Sequence, residues 1–247
     1  APGSPVRIDV APHPHVVRAA DLDGDGHLDL IVDHRQGEGL LILRGHGDGT
    51  FAAPGTLVGV GGDPYRGMAL GDLDGDGRLD LATPNPRAVG IRLAADPGRL
   101  AFRRAPDVAA DTPFGVALAD FNGDGRLDLV SASGEGSARV QLFWGDGHGG
   151  FEEADGSPLR LATGGKSIAV GDFDGDGIPD AAVASYRSSG VLVVLGGGGA
   201  LRTATLPAGE HPWAIAAADL NEDGIDDLVI ADDANPRATV YLSHTRR

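Results

Sequence analysis

The chain has no cysteine, which excludes disulfide staples and thiolate metal sites alike. Aromatic residues are scarce: two tryptophans, three tyrosines and seven phenylalanines in 247 residues, so any gathering of them is informative. No stretch of about 18 apolar residues is present to cross a bilayer as a helix, and membrane insertion is not expected. No segment sustains a 3.6-residue hydrophobic period, which leaves strands and turns. Basic residues are outnumbered, 20 Lys and Arg against 36 Asp and Glu, for a formal charge of −16. A surface of that sign repels a phosphate backbone and makes nucleic acid an unsuitable partner. Gly-x-Ser-x-Gly, His-Glu-x-x-His and helix-opening phosphate loops are all missing. The glycine run Gly196 to Gly199 sits between strands without the helix a phosphate cradle needs.

What the chain does have is glycine, 40 residues of it, and a nine-residue pattern, Asp-x-(Asp/Asn)-x-Asp-Gly-x-x-Asp, repeated five times. The copies start at Asp21, Asp72, Asp120, Asp172 and Asp219. Carboxylates at alternating positions, with a glycine at the bend, suit a hard cation that seeks oxygen. In the first copy Asp21, Asp23 and Asp25 offer side-chain oxygens, His27 its backbone carbonyl, and Asp29 closes the shell. The same roles fall to Asp72, Asp74, Asp76, Arg78 and Asp80, and then to Asp120, Asn122, Asp124, Arg126 and Asp128. The fourth copy offers Asp172, Asp174, Asp176, Ile178 and Asp180; the fifth offers Asp219, Asn221, Asp223, Ile225 and Asp227. The fifth departs most, with Glu222 in place of a glycine and Asp226 where three others have leucine. Strands rather than helices flank the loops and no glutamate stands at position 12, so these are not EF-hands. A single copy reads equally well as an Asp-Gly turn. Five copies do not, because four carboxylates in nine residues repel one another unless a cation neutralises them. The all-oxygen donor set points to Ca2+, up to five ions in a structural role. Eighteen aspartates at these positions make up half of the acidic residues, and five divalent ions would bring the charge to about −6.

Successive loops start 51, 48, 52 and 47 residues apart, the spacing of propeller blades built from short strands. Each period offers a strand into the loop, a strand out, as in Leu28 to Val32, and a third after a polar turn, as in Val140 to Trp144. The fourth is more polar, around Thr56 to Val60, Leu100 to Arg103, Leu159 to Leu161 and Leu201 to Leu206. The expected fold is all-β: one five-bladed β-propeller over residues 1–247, with four-stranded antiparallel blades. The repeat units run over about 12–60, 61–110, 111–162, 163–208 and 209–247. The fifth unit ends after its third strand, while Val6 to Val10 reads as an orphan strand within 5–11. Pairing that N-terminal strand into the last blade would close the ring and remove an exposed edge.

The aspartate loops, the Leu-Asp-Leu strands that follow them and the turn Gly45-His46-Gly47-Asp48-Gly49-Thr50-Phe51 resemble FG-GAP/VCBS repeats. The resemblance spans nearly the whole chain and implies calcium-binding blades like those of integrin α-subunits and of many secreted bacterial propellers. Such propellers usually have seven blades, and this chain has five repeats.

Six residues before each loop stand His15, Arg66, Phe114, Lys166 and Trp213, which share neither size nor chemistry although the repeat makes them equivalent. Tyr65, Tyr186 and His211 lie close to the same end of the strands, opposite the loops. These eight residues are the candidate ligand-binding set, for a carbohydrate or an extracellular protein; the resemblance to integrin-type propellers supports a protein. Aromatic faces pack on sugar rings, and arginines hold carboxylates or sulfates. The alternative is a polysaccharide lyase that uses His13, His15, Tyr65, His211 and the arginines as acid and base. The preferred reading is a non-catalytic monomer. Calcium is plentiful mainly outside cells, so a secreted or periplasmic location is expected. The opening Ala1-Pro2-Gly3-Ser4-Pro5 fits either a terminus left by leader cleavage or an arbitrary boundary.

Overall fold

A computed structural model describes residues 7–10, 12–34, 39–61, 67–134 and 136–244. It is all-β, and five antiparallel sheets follow one another along the chain as propeller blades. The first sheet holds β1 (Pro14–Ala20), β2 (Asp29–His34), β3 (Gly39–Leu43) and β4 (Thr56–Gly59). The second holds β5 (Ala69–Gly71), β6 (Asp80–Asn85), β7 (Ala88–Asp96) and β8 (Ala101–Arg104), with β9 (Val108–Ala109) also on β7. The third holds β10 (Pro113–Ala119), β11 (Asp128–Ser133), β12 (Arg139–Gly145) and β13 (Phe151–Glu153), with β14 (Leu159–Arg160) also on β12. The fourth holds β15 (Gly165–Gly171), β16 (Asp180–Ser185), β17 (Gly190–Leu195) and β18 (Arg202–Pro207). The fifth holds β19 (Pro212–Ala218), β20 (Asp227–Asp232) and β21 (Arg237–Tyr241). Among the described residues the only helix is a 3-10 turn at Pro97–Arg99, and none is long and apolar enough to cross a membrane.

In the third sheet the fourth strand comes earlier than expected. Phe151–Glu153 pairs with the end of β12, and the expected strand at Leu159 covers only its start, Arg139 and Val140. Pro158, which has no N–H to give to a ladder, stands just before the second piece.

Strand side chains alternate between the two faces of a sheet, so an inner blade must be apolar on both. The strands leaving the second, third and fourth loops, β6, β11 and β16, are accordingly buried at all six positions. Four junctions between neighbouring sheets form the core, and one pairing recurs in each. The residue two after a loop's closing aspartate (Ile31, Ala82, Val130, Ala182) shares a cluster with the residue one after the next loop's closing aspartate (Leu81, Leu129, Ala181, Leu228). The first face is here called leading and the second trailing.

A fifth junction, which ring closure requires, is not formed among the described residues. Residues 7–10 belong to no strand, Val6 and Ala11 lie outside the described residues, and the fifth sheet has three strands. The leading face of the fifth sheet and the trailing face of the first both carry exposed apolar side chains. Of the expected closing strand over 5–11, the described residues 7–10 stand in no ladder, with Ile8 and Val10 half-buried, and the others lie outside the described residues.

Candidate functional site

Each aspartate loop joins the first two strands of its sheet, and its hydrogen bonds repeat with the sequence. The position-1 aspartate folds the loop over itself: Asp21 accepts from the N–H groups of Gly24 at 2.8 Å and Gly26 at 2.9 Å, and Asp72, Asp120 and Asp172 do likewise. The position-5 aspartate accepts from the N–H at position 7 in all five loops. The tight path needs φ near +75° to +85° at positions 4 and 6, which glycine adopts without a Cβ penalty. Glu222 has to take φ 60° in the fifth loop, a conformation that is costly for a side chain with a Cβ.

The position-9 aspartates Asp29, Asp80, Asp128, Asp180 and Asp227 are fully buried. In every blade, one carboxylate oxygen accepts from the N–H at position 2 of the same loop. The other accepts from the N–H at the exit of the third strand, with all ten bonds between 2.7 and 3.0 Å. Three strands are thus tied to one side chain. Burial, opposed by these hydrogen bonds and reinforced by neighbouring aspartates, pushes the carboxyls of Asp80, Asp128 and Asp180 up to about 6. Negative charge here is costly without a compensating cation.

The position-3 side chains bear most directly on a metal. In the first, second and fourth loops the carboxylates at positions 1, 3 and 9 come within 4.8 Å of one another. One oxygen of each position-3 aspartate is held by an arginine: Asp23 by Arg44, Asp74 by Arg103 and Asp174 by Arg202, each at 2.8 Å. In Asp74 and Asp174 the other oxygen, Oδ1, is buried without any hydrogen-bond partner. A buried carboxylate oxygen left orphaned costs several kcal/mol, and a hard cation is the group that relieves it. The residues present fit a calcium ion. Sequence reasoning missed the arginine clasps, because they depend on side-chain reach across strands, and gave Arg78 and Arg126 only a backbone role although their side chains pair with Asp76 and Asp124 two residues before them.

The loops also sit against neighbouring blades. Gly149 and Gly197 donate backbone N–H groups at 2.9 Å to Leu73 and Phe121 of the preceding blades' loops, and Asp226 binds Asp172. Ordering a loop therefore orders a junction.

At the other end of the inner strands, the divergent positions share one structural cause. Phe114, Lys166 and Trp213 each fall in a β-bulge, between Pro113 and Gly115, Gly165 and Ser167, and Pro212 and Ala214; His15 lies in the equivalent shift after Pro14. A bulge leaves its residue outside the ladder and re-aims the side chain. Lys166 Nζ lies 4.3 Å from the ring centre of Phe114, 5.1 Å from Tyr186 and 5.6 Å from Trp213. Trp213 meets Tyr186 edge-on with ring centres 5.0 Å apart, and remains 46% exposed. His211 lies 5.8 Å from Tyr186 and pairs with Asp233 at 3.3 Å. Arg187, at φ 62°, turns back over Tyr186 at 5.2 Å. Three blades thus bring together Phe114, Lys166, Tyr186, His211 and Trp213. His15 lies on the first sheet, with its N–H on buried Asp33, and Tyr65 and Arg66 lie outside the described residues.

A family model described as an FG-GAP-like repeat matches residues 21–83, 120–183 and 172–230, each match beginning on the first aspartate of a loop. Among curated proteins no sequence matches the chain. Among solved structures, the chain is similar to an Agrocybe aegerita lectin described for specific recognition of non-reducing terminal N-acetylglucosamine, at 20% identity and a TM-score of 0.58. The match covers 94% of this chain and 66% of the lectin chain, so this chain spans just under two thirds of that length. With the family pattern matched over more than half its length, the chain belongs to the FG-GAP-like repeat family.

Proposed function

We propose that the protein is a secreted or periplasmic, calcium-stabilised binding propeller that takes a carbohydrate at the end of its inner strands opposite the aspartate loops. The observation that carries this reading is Trp213. It is a half-exposed indole, braced edge-on by Tyr186 and flanked by the ammonium of Lys166. Scarce aromatic residues collect here from repeats that elsewhere copy one another. A rigid indole offers a flat apolar face to the C–H side of a sugar ring, while Lys166 and Arg187 supply donors for hydroxyl, carboxylate or sulfate groups. The fold shared with a lectin supports a sugar over a protein ligand. The five loops act as structural calcium sites, and the need for plentiful calcium supports an extracellular setting.

A glycan array probed with the calcium-loaded protein tests the reading. Binding is expected to a restricted set of glycans, and Trp213→Ala should remove it while the melting temperature holds. Loss of a central aromatic anchor costs about 2 kcal/mol or more, roughly a thirtyfold fall in affinity. A blank array, or binding indifferent to Trp213→Ala, would reject a sugar site at this cluster. Turnover of an acidic polysaccharide to an unsaturated product would replace the reading with the lyase, in which His211 would be the base among the described residues of this cluster.

A further inference from the structure

The five aspartate loops differ at position 3, and the difference follows one rule. The first, second and fourth loops have an aspartate there, and an arginine holds one of its oxygens at 2.8 Å. The third and fifth have Asn122 and Asn221, whose side-chain hydrogen bonds among the described residues stay inside the loop. The place of the arginine changes with them. Arg103 faces Leu93 and Arg202 faces Leu195 across the outer pair of strands, whereas at the same place in the third blade Glu152 faces Trp144. A clasp cancels the charge that aspartate adds over asparagine, so charge alone gives no reason for the pairing. What it changes is the second oxygen. In the asparagine loops, Oδ1 accepts from the N–H at position 5, at 2.9 Å from Asp124 and 3.0 Å from Asp223. In the second loop that N–H, of Asp76, turns to Asp72 instead, and Oδ1 of Asp74 is buried without a partner. Oδ1 of Asp174 is in the same state. Asp23 lies between the two cases, with its clasp at 2.8 Å and a long 3.2 Å contact to the N–H of Asp25.

We propose that Arg44, Arg103 and Arg202 are positioning residues for the cation: each fixes one oxygen of its position-3 aspartate so that the other stands ready as a ligand. The inference rests on reading the loops as calcium sites, and it divides them into two classes. The first, second and fourth loops are the tight sites. The third and fifth are the weak ones, because there a neutral amide oxygen at position 3 is shared with the loop's own N–H. Ligand charge and rigidity tune calcium affinity, and the partners behind a metal ligand govern about ten- to a hundredfold of it. This effect of the clasp opposes its electrostatic one, since a guanidinium beside the site repels a cation. The two are told apart by sign.

Titration of the whole chain with calcium in competition with a chromophoric chelator should resolve three tight sites and two weaker ones. Arg202→Ala should take one site out of the tight class, its dissociation constant raised about tenfold, and Arg103→Ala should do the same to another. Arg202→Lys keeps a donor within reach and should restore most of the affinity. The side chains of Arg103 and Arg202 are 54 and 57% exposed, and ion pairs so exposed add little to stability. Melting in chelator should therefore match the wild type, which separates a lost ligand position from a damaged fold. The clasp should also be transferable: Asn122→Asp with Glu152→Arg should bind calcium more tightly at the third loop than Asn122→Asp with Glu152 kept, the reverse of what charge alone gives. Five equivalent sites in the wild type would overturn the division into classes. Affinity that holds or rises in Arg103→Ala and Arg202→Ala would overturn the clasp and leave the calcium sites standing. A wild type that takes up no calcium would overturn both.

Discussion

Chelation of calcium is expected to lower the melting temperature by well over ten degrees. A site held at about 100 times its dissociation constant adds about 2.7 kcal/mol to folding, which moves the melting point of a domain this size by about 5–11 °C. Three loops already bring their position-1, position-3 and position-9 carboxylates together, and two of them bury a carboxylate oxygen without a partner. Removing the cation leaves those charges to repel one another where burial has already raised the acids to about 6. The damage spreads beyond the loop, because Leu73, Phe121 and Asp172 in the loops contact the following blades. Calorimetry with and without chelator measures the shift, and restoring calcium should reverse it. An equal melting point in both conditions would show that the loops are stable aspartate turns and need no ion.

The second large effect separates the fold's need for aspartate from the ion's. Asp180→Ala should destabilise the protein even in chelator, whereas Asp176→Ala should do so only when calcium is present. Asp180 is fully buried and accepts from Gly196 at 2.7 Å and Phe173 at 2.8 Å. Its removal orphans two buried N–H groups at about 1–3 kcal/mol each. The cost of burying the charge, visible in the raised carboxyl, sets the net loss toward the lower end of that sum. Asp176 is exposed, and its carboxylate accepts from the N–H of Ile178 two residues on within the same loop, so its loss is nearly free without metal. Urea unfolding of both variants in chelator and in calcium gives the four stabilities. If the two variants fall together in every condition, position 9 has no structural role separate from ion binding.

The blade repeat could be read from the chain because the loop is local. Nine consecutive residues contain the turn, its glycines and its carboxylates, and the spacing between Asp21 and Asp72 or Asp172 and Asp219 carries the blade length. Short apolar runs such as Leu127 to Val130 and its counterparts carry the strands. What escaped was whatever depends on residues distant in sequence. Arg44, Arg103 and Arg202 clasp the position-3 aspartates from 21 to 29 residues away, and no pattern in the loop announces them. The divergent column at His15, Phe114, Lys166 and Trp213 stood out by failing to repeat, but its bulges appear only once the strands are paired. The closing N-terminal strand was inferred by counting strands, which says nothing about whether two faces meet.

By itself, then, the sequence determined the number of blades, their strands and the aspartate loops, because hydrogen bonds and charges within a few residues dictate them. Tertiary structure alone decided that Phe114, Lys166, Tyr186, His211 and Trp213 share one surface. It also decided that the position-9 aspartates hold three strands each, and that the first and fifth sheets keep an apolar face in solvent. Those outcomes depend on the angle between successive sheets and on which faces meet, and the repeat leaves both open.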